Sequence, residues 1–217
     1  LESVRLFASQ LDDYSSLKDG YRYDVIIIFS QYLSNLFYYG QREFTECYKN
    51  DELEKCEVLA RKQLDLLDDI DMLLSQRTET NLNKWLYDSQ TLATDENEKE
   101  YFFIMAKTLV TLWGDVDGDS FLYDYAWREW SGLIKEYYKV RWEKFYSYVI
   151  SELKKGNKLK EDIKEFNPTR LDISYGKFGK EIVAFSKNWC KTIDYRNIPH
   201  DYFDVDMIKS LLTKYNI

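Results

Sequence analysis

"YDVIIIFSQYLSNLF", residues 23–37, decides the fold. Val25, Ile26, Ile27 and Ile28 have the composition of a buried strand. Their surroundings do not. Val25, Ile28, Phe29, Tyr32, Leu33, Leu36 and Phe37 recur at i, i+3, i+4 and i+7, whereas a strand would alternate at every second position. The spacing predicts a helix from about Tyr21 into the forties, with one apolar stripe turned toward a core.

The same period continues along the chain. Asn50 is placed to cap a helix carrying Leu53, Cys56, Ala60, Leu64, Leu67 and Leu74, with acidic residues in its first turn where the helix dipole favours them. Leu82 to Ala93 and Glu96 to Leu112 read as two more helices, the second stopped by Gly114. From Tyr123 to about Leu153 one stripe holds Trp127, Trp130, Ile134, Tyr138, Trp142, Phe145 and Val149. A neighbouring stripe holds Ala126, Leu133, Tyr137 and Val140, so this helix is predicted to be buried on two sides. Beyond Gly156 come a lysine-rich loop and a short turn near Ile163, then helical spacing at Phe178, Ile182, Phe185 and Trp189. The closing helix carries Ile208, Leu211, Leu212 and Tyr215 and is capped near Asp204.

Only two prolines occur in 217 residues. No low-complexity linker interrupts the pattern, and no solenoid repeat is visible. The expected architecture is all-α, a single helical bundle domain spanning 1–217 with about seven to nine helices.

Composition narrows the function. Hydrophobic residues make up 45% and aromatics 17%, enough to fill a sizeable core. Against 30 basic residues stand 38 acidic ones, a net charge of −8 that repels a phosphate backbone, so no nucleic-acid partner is expected. The longest apolar run, Val25 to Phe29, falls far short of the roughly 18 residues that span a bilayer, and no membrane segment is expected. Cys47, Cys56 and Cys190 lack metal-finger or redox spacing and read as buried apolar side chains. Because the chain opens with Leu-Glu-Ser-Val, it reads as a piece of a longer protein.

The stretch Asp115 to Asp119 invites a calcium reading, but the count fails. A helix-loop-helix calcium loop places glycine at its sixth position and a bidentate glutamate at its twelfth. Counting from Asp115, those places hold Ser120 and Ala126, while Gly118 comes too early; a polar turn is the better reading. His200 is the only histidine, which excludes two-histidine metal sites, and beside Pro199 it reads as a surface residue. No nucleophile elbow or phosphate-binding glycine loop is present. Carboxylates are plentiful, but Leu67-Asp68-Asp69-Ile70-Asp71 reads as the solvated face of a helix. No metal, cofactor or catalytic residue is therefore assigned. Among the aromatics, Trp113 stands apart: it ends a helix beside Gly114, where backbone can approach a ligand closely.

Trp113-Gly114, Asp124-Tyr125-Ala126, Trp130-Ser131-Gly132-Leu133, Tyr137-Tyr138 and Arg141-Trp142 resemble, in order and spacing, the C-terminal helical region of the α-N-acetylglucosaminidases of glycoside hydrolase family 89. Upstream, Tyr21-Arg22-Tyr23-Asp24 with Gln31, and Asn83-Lys84-Trp85-Leu86, are similar to further motifs of that family. The resemblance implies a longer enzyme: an N-terminal α/β domain, a catalytic (β/α) barrel with two glutamates, and this all-helical domain packed beside the barrel. It implies removal of terminal α-linked N-acetylglucosamine from a glycan with retention of configuration, in an extracellular or lysosomal setting. The catalytic glutamates would belong to the barrel, so this chain alone would be inactive. Trp113 and Gly114 would bind substrate as one wall of the cleft, while Asp124, Tyr125, Arg141 and Trp142 would lock the long helix, Arg141 pairing with a carboxylate.

The chain departs from the family pattern in places. Met105-Ala106-Lys107 stands where the family usually reads asparagine-alanine-arginine, Ile27 and Phe29-Ser30 replace an aspartate and a threonine-arginine pair, and Val140 replaces a common proline. Met105, Lys107 and Ile27 are expected to exchange polar contacts for apolar ones. A different reading of the same aromatic surface is a free-standing helical module that binds carbohydrate or protein without catalysis. An independent enzyme using this chain's own carboxylates ranks last.

Overall fold

The computed structural model describes residues 1–12, 18–118, 122, 124–157 and 177–217, the Lys177 side chain excepted. The described residues form eight α-helices and no strand, and Asn81 and Ser131 make an isolated bridge. The helices are α1 (Glu2–Ala8), α2 (Asp19–Lys49), α3 (Leu53–Leu74), α4 (Leu82–Thr91), α5 (Glu96–Leu109), α6 (Lys139–Lys154), α7 (Lys177–Lys191) and α8 (Val205–Lys214). The chain is all-α, as its periodicity predicts. It folds as two compact units: Leu1–Asn81 with Trp130–Lys135 and Pro199–Ile217, and Leu82–Glu129 with Glu136–Ile198.

In the first unit α2 covers the stretch that decided the fold. Val25, Ile26, Phe29, Ser30 and Leu33 are buried, so the buried stripe starts at Val25 as expected but is turned toward Ile26 and Ser30, leaving Ile28 half-buried. Farther along, Gly40 lets α3 come close. A Cβ there would lie 2.3 Å from the Gln63 Oε1, and Gln63 is buried and donates from Nε2 to the Phe37 carbonyl at 2.7 Å. α8 closes the unit, capped as expected: the Asp204 carboxylate accepts from the Met207 N–H at 2.9 Å. Asn50 behaves differently from expectation. It ends α2 instead of starting α3, because Asp51 takes a left-handed turn (φ 58°) and Glu52 precedes α3 without a side-chain cap.

The acidic face of α3 is the largest correction. Asp69 and Asp71 are each only 8% exposed, so this run is not a solvated face. Asp69 is met by the Lys214 ammonium and the Tyr215 hydroxyl. The Asp71 carboxylate accepts from the N–H groups of Gly132 at 2.6 Å and Lys135 at 3.1 Å and from the Ser131 hydroxyl at 3.2 Å. Burial pushes its pKa up, and the three donors pull it back toward the charged form. It therefore acts from α3 as a remote cap on Trp130–Lys135, where Gly132 supplies a left-handed turn (φ 84°) that other residues resist. In the same unit, the buried Arg77 guanidinium meets Asp19 at 2.6 and 3.0 Å and Glu79 at 3.1 Å.

The second unit contains α4 to α7. α5 starts at Asp95, whose carboxylate accepts from the Glu98 N–H at 2.9 Å while Glu98 reaches back to the Thr94 N–H at 2.9 Å, two donors satisfied reciprocally. The long helix expected from Tyr123 starts later. Asp124 to Ala126 form a turn, 127–130 are irregular, and a π-helical segment, Ile134–Tyr138, leads into α6. Trp127 and Trp130 consequently lie outside the helix, and Trp127 is 54% exposed rather than part of the core. Of the expected stripes Tyr137 and Val149 are buried in this unit, joined by Tyr146, while Leu133 and Ile134 are buried residues of the first unit. α6 stops before Gly156, which is left-handed (φ 71°), and α7 carries the expected Phe178, Ile182, Phe185 and Trp189. Cys47, Cys56 and Cys190 are all buried thiols. Tyr123, the start of the expected helix, and the turn near Ile163 lie outside the described residues.

Replacing Asp71 by alanine leaves three donors, the Gly132 and Lys135 amides and the Ser131 hydroxyl, without their acceptor. The expected loss is about 3 kcal/mol in urea unfolding, and Asp71→Asn, which keeps one acceptor oxygen, should lose about half as much. Equal midpoints for wild type and Asp71→Ala would show that the cap contributes nothing.

Candidate functional site

Trp113 lies where α5 gives way to a turn in the second unit. The helix ends at Leu109, earlier than the Leu112 read from the sequence, and the left-handed turn falls on Trp113 itself (φ 46°). A tryptophan there costs about 1 kcal/mol, so neighbouring bonds have to hold it. They do: the Trp113 N–H donates to the Thr108 carbonyl at 2.9 Å, the Leu122 N–H to Leu112 at 3.0 Å, and the Asp124 N–H to Thr111 at 2.8 Å. Asp124, whose N–H reaches back to Thr111, is also left-handed (φ 57°).

The side chains around this turn face outward. Trp113 is 37% exposed and Tyr125 70% exposed, their ring centroids 5.3 Å apart at 40°. Tyr125 is thus a partner of Trp113 and takes no part in the internal lock expected for it. Arg141 does find its carboxylate: its Nη1 donates to both Asp124 oxygens at 2.9 Å. A groove of about 390 Å³ opens on the same pair, lined by Asp124, Trp127, Tyr138, Arg141, Trp142 and Phe145 of the turn and α6, with Phe178 and Ile182 of α7. Aromatic faces around one ion pair suit an amphipathic ligand with flat apolar faces and hydroxyl groups, such as a sugar ring.

The same unit is also braced by charge. Lys107 is 1% exposed, and its three ammonium protons meet three acceptors, the carbonyls of Trp189 at 3.1 Å and Thr192 at 2.8 Å and the Asp194 carboxylate at 2.7 Å. Two of these acceptors are the open carbonyls at the end of α7, where a cation is favoured. Lys107 therefore keeps a polar network, contrary to the apolar exchange expected from its departure from the family pattern. Burial lowers its pKa, and the Asp194 carboxylate opposes that shift. Arg196 extends the network to Glu136 at 3.0 and 2.6 Å. Tyr137, fully buried, donates to the Ser186 hydroxyl at 3.0 Å.

Beyond the turn, Asp115 bonds locally to the Asp117 N–H at 2.9 Å, as expected of a polar turn, while Asp119 and Ser120 lie outside the described residues. Among the described residues no cluster of His, Cys, Asp or Glu is arranged to hold a metal, and no helix is long and apolar enough to cross a membrane. Gly114 follows Trp113 directly on the partly exposed turn. Two contributors to the site escaped sequence reasoning. Trp127 was concealed by helical spacing that the backbone does not continue, and the Trp113–Tyr125 pair joins residues whose separation follows no helical period.

Fold and site together define an all-helical domain that presents aromatic side chains on a braced turn. A family model for the "Alpha-N-acetylglucosaminidase (NAGLU) C-terminal domain" matches residues 1–214, and the chain belongs to that family. Human alpha-N-acetylglucosaminidase is 27% identical over 140 residues, which cover 63% of this chain and 18% of the human protein. A family 89 glycoside hydrolase from Clostridium perfringens, solved in complex with PUGNAc, has the same fold, with a TM-score of 0.77 at 24% identity. That enzyme's complex with its substrate GlcNAc-alpha-1,4-galactose also superposes with a TM-score of 0.77, at 25% identity. The match covers 98% of this chain but only 23% of the bacterial one, so the chain spans about a fifth to a quarter of these relatives' lengths.

Two measurements test the bracing. Lys107→Met leaves two helix-end carbonyls and Asp194 without their cation and should cost about 3 kcal/mol in urea unfolding; a loss below about 0.5 kcal/mol would remove Lys107 from the brace. The second is a pH dependence. Burial above all, reinforced by the nearby Asp124 charge, pushes the Tyr138 hydroxyl far above its ordinary value of 10.0, and burial does the same for Tyr137. Their stability contribution is complete below pH 10 and is lost as pH rises, because the unfolded chain releases protons that the folded chain retains. The urea midpoint should therefore fall between pH 9 and pH 11, and fall less in Tyr138→Phe.

Proposed function

We propose that residues 1–217 act as the C-terminal all-helical domain of a longer, exo-acting α-N-acetylglucosaminidase. In this reading the domain packs on the catalytic barrel of the same polypeptide and forms one wall of its cleft. Terminal α-linked N-acetylglucosamine enters that cleft, and Trp113 with Gly114 meets it. The observation that carries this assignment is the outward placement of Trp113, a family-motif residue held in a left-handed turn and open to solvent instead of packed in the core. An indole so placed can stack on the apolar face of a pyranose and exclude water from the reacting bond.

The chemistry itself falls to the barrel. In a retaining glycosidase two carboxylates about 5 Å apart divide the work, one attacking the anomeric carbon and the other serving as acid and then as base. Three carboxylates largely withdrawn from water in this chain are committed elsewhere: Asp71 to backbone donors, Asp124 to Arg141, Asp69 to Lys214 and Tyr215. This chain's contribution is to shape the substrate site and shield it from water.

The test is an assay of the 217-residue chain and of the full-length protein on an aryl α-N-acetylglucosaminide. Turnover should appear only in the full-length protein. There, Trp113→Ala should lower kcat/KM roughly ten- to a hundredfold, about 1.4–2.7 kcal/mol, with unchanged circular dichroism. Robust turnover by the short chain, or unaltered kinetics in Trp113→Ala, would overturn the reading.

A further inference from the structure

Trp113 does not hold its own orientation. Its backbone is strained, its ring is partly in solvent, and its ring partner Tyr125 is more exposed still. What fixes the pair is Asp124, the residue before Tyr125. The Asp124 N–H donates to the carbonyl of Thr111, two residues before Trp113, and both of its carboxylate oxygens accept from Arg141 of α6. The backbone bond and the side-chain bond run to different elements, so the left-handed conformation at Asp124 has nowhere to relax. Arg141 is anchored in turn, its guanidinium 5.0 Å from the ring of the fully buried Tyr137. An unbroken line of contacts therefore runs from the core of the second unit, through Arg141 and Asp124, to the exposed aromatic pair.

We propose that Asp124, clamped by Arg141, is a positioning residue that sets the angle at which Trp113 and Tyr125 meet the sugar. This rests on the reading of Trp113 given under Proposed function. Asp124 reaches Trp113 by two routes, the backbone just before the indole and the Tyr125 ring beside it. Loosening it leaves the aromatic surface present but misaligned, and misalignment of a positioned group by about 1 Å is enough to cost large factors in rate. The effect belongs in kcat more than in KM, because a mobile indole still contacts bound sugar but no longer holds it in the reactive pose.

A double-mutant cycle on the full-length protein tests this, with kcat and KM measured on an aryl α-N-acetylglucosaminide for wild type, Asp124→Asn, Trp113→Ala and the pair. Asp124→Asn should lower kcat about tenfold with KM changed less than about twofold, and in the Trp113→Ala background the further loss should be under about twofold. Independent, multiplicative losses would overturn the positioning role while leaving Trp113 in the site. So would an unchanged kcat in folded Asp124→Asn. No effect of Trp113→Ala in the otherwise intact protein removes the underlying reading and this proposal with it. Should Asp124→Asn fail to fold, Arg141→Lys, which keeps the charge but not the planar fork, enters the same cycle with the same expected outcomes.

Discussion

Asp71 on α3 has to be satisfied where it stands. A carboxylate withdrawn from water loses several kcal/mol of hydration and is tolerated only where donors replace it. Here the donors are the amides of Gly132 and Lys135 and the hydroxyl of Ser131, which come from far along the chain. The requirement works in both directions. Asp71 needs that segment in place, and the segment's first amides, open as at any helix start, need Asp71. A residue in the last turn of α3 thereby decides where the chain returns to the first unit.

The same constraint recurs with cations. Arg77 in the first unit and Lys107 in the second are both nearly inaccessible, and both are surrounded by acceptors drawn from separate elements. Lys107 uses each of its three protons, so the end of α7, the segment after it and α5 have one mutually consistent arrangement. Arg141 applies that logic at the candidate site, where its pair with Asp124 ties a strained surface turn to a buried aromatic core. In this reading the exposed aromatics can be used for recognition because their support is not itself exposed.

The helices were legible in the sequence because their cause is local. α2, α4, α7 and α8 appear with ends close to those read from apolar spacing and capping residues, since burial of one stripe and satisfaction of the first amides are written into neighbouring positions. Trp113 was legible as the odd aromatic at a helix end, and Arg141 as a cation in need of a carboxylate. Misreadings came where period alone was trusted. Trp127 and Trp130 continue the spacing of the following helix by coincidence, but the turn at Asp124 and the late start at Leu133 take them out of it. The run Leu67 to Asp71 looked solvated because sequence does not reveal which distant amides will need an acceptor.

By itself, the sequence determined that the regular structure of the described residues is helical, that the cysteines are core residues, and that the chain's motifs place it with the α-N-acetylglucosaminidase C-terminal domains. Only the tertiary structure decided that Asp69, Asp71, Arg77 and Lys107 are buried partners of other segments, and that Trp113, Tyr125 and Trp127 are among the aromatics left in the open. The physical reason is range. Periodicity and capping act over a turn or two of helix, whereas a buried charge is satisfied by whatever segment the fold brings to it, across separations that no local pattern encodes.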